Sequence, residues 1–382
     1  MKSPWWRVSR SAGAIVLYGR RSLLESVMLV RNRISLVVLS LAAGLASASP
    51  GYAEYRVTIV GPANSRPTAI NAAGAVTSII STGTLTYRSF VNYGRGVVNL
   101  NLPGSTSNIA VGINDKGDVL GNWTTSTGQA RGYVYSRGSF RQLNAVRGQP
   151  TRYVDINNAG YILATSTPPT TDPAGANPRG YLRAPNGSYR DIGTLPYPNP
   201  TTQPEALNNR NQVTGESGSL FAPEIPFYAF VWTNGVIRQL GSFGNTPNYG
   251  LDINDRGQVA GYTSTETFRE ALATVWTHGR PQLIDTRPAG DYRFSTAQAI
   301  NNHGHVVGNS NHLGPFIYRG KRMESLNTLI DRRSGWTVDF SRGINDAGQI
   351  IADASRGGVG YAVRLDLIRP HALGAAPVEA DD

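Results

Sequence analysis

Seven near copies of one short phrase divide this chain. They centre on Asn71, Asn114, Asn157, Asn208, Asn254, Asn301 and Asn345, as in Asp-Ile-Asn-Asp-Arg-Gly-Gln-Val around Asn254. The spacings between them are 43, 43, 51, 46, 47 and 44 residues. Repeats of this length are single supersecondary units that cannot bury an apolar face alone and must stack on one another. The period is that of a four-stranded propeller blade.

Each repeat reads as four strands, A to D. In the fifth, residues 248–254 make a strand ending in a turn, 257–264 a second, 270–276 a third and 281–285 a fourth, with a tight turn at His278-Gly279. The third strand ends in an aromatic at Tyr87, Tyr135, Trp232, Trp276 and Tyr318, and Arg183 and Arg364 take that place in two repeats. The repeated Asn is read as the A–B turn residue. Its side chain accepts bonds from N–H groups just ahead, and the Gly three positions later (Asn211 in the fourth copy) supplies a positive φ. Positions two and four before the Asn are mostly small, which suits an inner strand packed close to neighbouring blades.

The seventh repeat lacks its fourth strand. Residues 55–61, at the other end of the fold, have the pattern of a D strand and precede the first Asn turn. The expected fold is therefore all-β: a seven-bladed β-propeller of four-stranded antiparallel blades, its last blade closed by the N-terminal strand, which removes an open sheet edge.

The chain has 382 residues with 43 Gly, 23 Pro and no Cys, so disulfides and thiolate metal sites are excluded and turns are abundant. Of the net charge of +11, residues 1–53 carry seven Lys/Arg against one Glu, leaving +5 spread thinly over the rest. Nucleic-acid recognition needs a concentrated basic face, which this distribution does not provide. Residues 34–48 form a short apolar run after Arg31 and Arg33, followed by small residues, the layout of a secretory signal. Met28 opens that signal well, so residues 1–27 read as an over-extended start, 28–53 as the signal peptide, 54–368 as the propeller and 369–382 as a flexible tail. Cleavage is expected after Ala48 or Ala53, giving a secreted or periplasmic monomer with no stable membrane insertion.

The Ile-Asn-x-x-Gly-x-Val-x-Gly turn, the aromatic-rich strand after it and the Leu-Gly strand ends resemble the HAF-repeat proteins, bacterial and mostly secreted. Tyr228-Ala229-Phe230 stands at the place of their His-Ala-Phe tripeptide. The resemblance covers residues 55–367 and implies a secreted propeller. It transfers no functional residues.

Several groups carry the residue types that chemistry requires. The segments starting at Asp252 and Asp155 resemble calcium loops at positions one, three and six, but neither has a glutamate at position twelve. His303, His305 and His312 lie close in sequence without a metal-binding pattern, so no metal or other cofactor is expected. A propeller glycosidase or lyase needs two carboxylates facing one cleft. The candidates are Glu205, Glu216, Glu224, Asp291 and Asp331, none in a recognisable motif. The reading preferred is a non-catalytic binding module for a carbohydrate or protein ligand. Its expected binding face is built from the B–C and D–A loops, with Tyr197, Tyr249, Tyr292, Arg293, Arg332 and Trp336 as candidate contacts. The alternative is a carbohydrate-active propeller enzyme using loop carboxylates.

Overall fold

The computed structural model describes residues 54–167, 177–219, 227–244, 246–264, 270–286 and 293–368. The expected start, signal peptide and tail lie outside these residues. So do Tyr292, Glu224 and Asp291.

Among the described residues twenty-eight strands, β1 to β28 in chain order, form seven four-stranded antiparallel sheets. Six sheets follow chain order. In the seventh the order is β1-β28-β27-β26, so β1 (Tyr55–Ala63) is the outer strand beside β28 (Val359–Leu367), β27 (Ile350–Arg356) and β26 (Thr337–Ile344). The register places Tyr55 opposite Leu367, Val57 opposite Leu365 and Ile59 opposite Val363. The inner strands are β2 (Ser65–Ile70), β6 (Ser105–Ile113), β10 (Thr151–Ile156), β14 (Pro200–Leu207), β18 (Asn248–Ile253), β22 (Ser295–Ile300) and β26. Each packs on the inner strand of the next blade, and β26 packs on β2, so the ring is closed.

The core lies in the wedges between blades. Leu163, Leu182 and Ile192 of blade three meet Leu207, Val213, Phe230 and Trp232 of blade four. Val307, Ile317 and Leu326 of blade six meet Ile344, Ile350, Val363 and Leu365 of blade seven. No blade has a closed core of its own, so each is stable only between neighbours.

The motif's small residues have a specific cause. Every inner strand carries a β-bulge between the positions four and two before the Asn, from Pro67/Ala69 in blade one to Ser341/Gly343 in blade seven. The bulge pushes a carbonyl against the second strand. A side chain at Gly261 would meet the Tyr249 carbonyl at 1.9 Å, and one at Gly308 the Thr296 carbonyl at 2.0 Å. That close approach explains the final Gly of the turn in blades four, five and six, whereas Gly121 of blade two makes room for the Tyr133 ring and Ser78, Ala164 and Ala352 stand there in the other three.

The C–D hairpins take two-residue turns with both central φ values positive, at Arg137-Gly138, Asn234-Gly235 and His278-Gly279, the twist that antiparallel neighbours favour. Blade one departs from the pattern. Its third strand, β4 (Thr86–Asn92), begins near Tyr87 rather than ending there, and Asn92 pairs with Val76 where the other blades place Tyr135, Trp232 or Trp276. In blade seven that place belongs to Leu365, not Arg364. The hairpin loop of blade one is also longer, residues 93–96, because Asn92 pairs with Val97.

Candidate functional site

The ring has two faces, and the repeated asparagines build one of them. Each Asn Oδ1 accepts from the backbone N–H four residues on, as the turn requires. The Gly or Asn three residues on has positive φ in every copy, from Asn211 at 59° to Gly117 at 82°. Each Nδ2 does something sequence reasoning missed. It donates to the backbone carbonyl of the equivalent Asn in the next blade: Asn71 to Asn114, Asn114 to Asn157, and so on to Asn345, which donates to Asn71. The seven side chains are buried and form one closed circuit of amide bonds around the axis.

The residue after each Asn adds a second, outer circuit. Asp115, Asn158, Asn209, Asp255, Asn302 and Asp346 each accept, through Oδ1, the backbone N–H of the equivalent residue in the preceding blade. Ala72 occupies this place in blade one and has no acceptor to offer Asp346, so the outer circuit is broken at one junction.

Two further carboxylates work along the axis. Asp155 accepts from its own strand at Ile156 N and from Leu207 N of blade four, at 2.8 and 2.9 Å. Asp252 does the same between Ile253 N and Ile300 N of blade six. These oxygens clasp adjacent inner strands, which replaces the calcium-loop reading with a structural role. Burial between the strands pushes the Asp155 carboxyl up to about 7 and that of Asp252 up to about 6, against the opposing pull of their backbone donors. Burial also raises Glu205, with Arg152 acting the other way. The rings of His303 and His305 lie 5.9 Å apart on the Asn face. His312 follows strand β23 (Val306–Ser310), at the B–C end of its blade. Among the described residues no three His, Asp or Glu side chains are grouped to hold a metal ion.

The opposite face carries the B–C and D–A loops, and it separates the proposed contacts. Tyr197 stacks on Tyr228 with ring centres 5.8 Å apart, and its hydroxyl donates to Gln239. Tyr249 sits in β18 rather than in a loop and stacks on Tyr262 across the strand pair at 4.7 Å. Both keep part of their surface exposed. Arg332 is exposed in a single helical turn, residues 332–334, whose N-terminus Asp331 caps by accepting from Arg333 N. Two candidates have other roles. Trp336 is 9% exposed, packs edge-on against Tyr361 and is covered by Arg356, so it belongs to the core of blade seven. Arg293 makes a two-pronged pair with Glu270 at 2.7 and 3.0 Å, which commits its guanidinium. Glu216 is buried in strand β15 (Val213–Ser219).

No protein-family model matches the chain, and no curated protein matches it. Solved structures do. The β-propeller domain of the Trilobed protease from Pyrococcus furiosus matches with a TM-score of 0.50 at 10% identity, over 87% of this chain and all (100%) of that one. YCF48 bound to D1 peptide matches with a TM-score of 0.50 at 10% identity, over 86% and 99%. The puromycin hydrolase S511A mutant matches with a TM-score of 0.51 at 14% identity, over 82% of this chain but 55% of that one. At such identities the likeness is one of fold: this chain is a seven-bladed β-propeller.

Proposed function

We propose that this propeller is an exported, non-catalytic binding module for a carbohydrate or protein ligand, in keeping with its resemblance to the HAF-repeat proteins. The observation that carries the reading is the pair of stacked tyrosines, Tyr197 on Tyr228 and Tyr249 on Tyr262, on the loop face of adjacent blades four and five. Tyr228 is buried and supports the partly exposed Tyr197, and Tyr249 and Tyr262 are both partly exposed; such rings, held by a rigid scaffold, offer flat apolar surface at little conformational cost. That is the chemistry by which sugar faces and peptide side chains are gripped. Described carboxylates are committed to the scaffold at Asp155, Asp252, Glu270 and Asp331.

A screen of polysaccharides and peptides against the exported chain tests this reading, with Tyr249→Ala and Tyr197→Ala as variants. A ligand bound at least about tenfold more weakly by Tyr249→Ala, at unchanged thermal stability, is the expected result. A hydrolysis assay runs beside it. Turnover of any bound glycan, lost on Glu205→Gln, would overturn the non-catalytic reading.

A further inference from the structure

The first blade lacks the side chains that most of the others place around their asparagine. In five of the seven blades the Asn Nδ2 makes a second bond to a side chain: Asn114 to Asp118, Asn157 to Asn211, Asn208 to Gln212, Asn254 to Gln258 and Asn345 to Gln349. The turn of Asn301 carries the rings of His303 and His305. Around Asn71 the corresponding residues are Ala72, Ala73 and Ala75. Its Nδ2 reaches the Asn114 carbonyl, and its second N–H has no acceptor among the described residues although the side chain is buried.

The missing side chains leave a recess of about 340 Å³, open to solvent, between blades one and two. Asn71, Ala73 and Ala75 form its floor on one side. Asp115, Lys116 and Gly117 come from the neighbouring A–B turn, and Tyr135, Arg137 and Gly138 from the C–D hairpin of blade two. Tyr93 completes it from the longer hairpin loop of blade one. Its hydroxyl donates to the Gly117 carbonyl, and the residue is 40% exposed.

The chemistry of the lining is one-sided. Lys116 and Arg137 are exposed and form no ion pair among the described residues. Asp115 is already occupied by the Ala72 N–H and by Asn158. Two free cations, an unanswered amide N–H and two tyrosine rings ask for a ligand rich in acceptors, negatively charged and flat on one side. We infer that the recess between blades one and two binds a carboxylate-bearing sugar unit of an acidic polysaccharide, with Lys116 and Arg137 on the carboxylate, the Asn71 amide on a hydroxyl or ring oxygen and Tyr93 and Tyr135 against the sugar face. This rests on the reading of the chain as a binding propeller, but it lies on the Asn face, opposite the paired tyrosines.

The test titrates the full exported chain with an oligogalacturonate and with its methyl-esterified, uncharged form. A peptide with a free C-terminal carboxylate serves as the third probe. Binding of the charged oligosaccharide alone is expected, weakened at least about tenfold by Lys116→Ala combined with Arg137→Ala. Ala75→Gln gives the recess the side chain that blades four, five and seven carry. It should abolish binding while holding or raising the melting temperature. Oligogalacturonate binding that survives both variants but falls with Tyr249→Ala overturns the recess and leaves the loop-face reading standing. Equal binding of the esterified form, preference for the peptide, or no oligosaccharide binding also overturns the inference, and loop-face binding of a different ligand is scored separately with Tyr249→Ala.

Discussion

Asn208 shows how much one side chain carries here. Its Oδ1 accepts from Arg210 N and Gln212 N, and its Nδ2 donates to Gln212 Oε1 and to the Asn254 carbonyl. Each stranded partner in a buried site costs about 1–3 kcal/mol, so Asn208→Ala should destabilise by about 2–4 kcal/mol, read by denaturant unfolding; a loss under about 0.5 kcal/mol would contradict the clasp. Asn208→Asp should do no better, since a carboxylate keeps the turn but cannot donate to Asn254. The sequence carries a signal for this. An A–B turn needs only an acceptor, which Asp or Ser also supplies, yet all seven positions are Asn, the residue that both accepts and donates. The partner was not legible, because it is a carbonyl one repeat away. The Asp155 and Asp252 clasps carry a pH signature. Their folded pKa values, about 7 and about 6, lie above the ordinary carboxylate value. Between roughly pH 4 and 7 the folded state therefore holds protons that the unfolded chain has released, and stability falls as pH rises through that window. Asp155→Asn should flatten the slope, and a stability profile whose slope is unchanged in that variant would count against it.

The element that closes the ring is β1, and its role was legible because a strand is missing at one end of the chain and surplus at the other. Its pairing with β28 joins segments some 300 residues apart (Thr58 and Asp366 bond across a separation of 308). Deleting residues 54–61 should expose the edge of β28 and drive aggregation, measured by light scattering beside the intact chain. The same strand is pinned at its start by a contact the sequence did not disclose. Glu54 and Arg319 of blade six are buried against each other, with Arg319 also bonded to Glu324, while Glu54 N donates to the Leu329 carbonyl. Arg319→Ala leaves two carboxylates facing a void and should cost about 3–5 kcal/mol, more than Glu54→Ala, which leaves Arg319 with Glu324. Thermal unfolding of the two variants ranks them. The loop candidates were harder to read for the same physical reason. Whether Trp336 or Arg293 faces solvent is decided by Tyr361, Arg356 and Glu270, neighbours that no local pattern identifies. The small residues of the inner strands gave away the close packing, though not the bulge that requires it.

For the whole molecule, the decisive property is that every blade leans on two others. Stacked repeats in an open array unfold from their ends, where one neighbour is absent. In this ring no blade is terminal while β1 stays in place, so the intact propeller should melt in a single transition. The chain without residues 54–61 should broaden or split that transition in calorimetry. Architecture was legible at this scale because the repeat imposes it seven times. The recess between blades one and two was not, since it arises from three alanines in one copy and a hairpin loop of different length, departures that become visible only once the other six turns are laid around the same axis. The amide circuit has a further consequence. The bond from Asn345 to Asn71 joins turns 274 residues apart in sequence, yet it is made between the same atoms as the six bonds between turns one repeat apart. Every donor points the same way round, so the circuit has a rotational sense but no first or last member. A circular permutant, with the old ends linked and new ones opened in a C–D hairpin such as His278-Gly279, would keep all seven amide bonds.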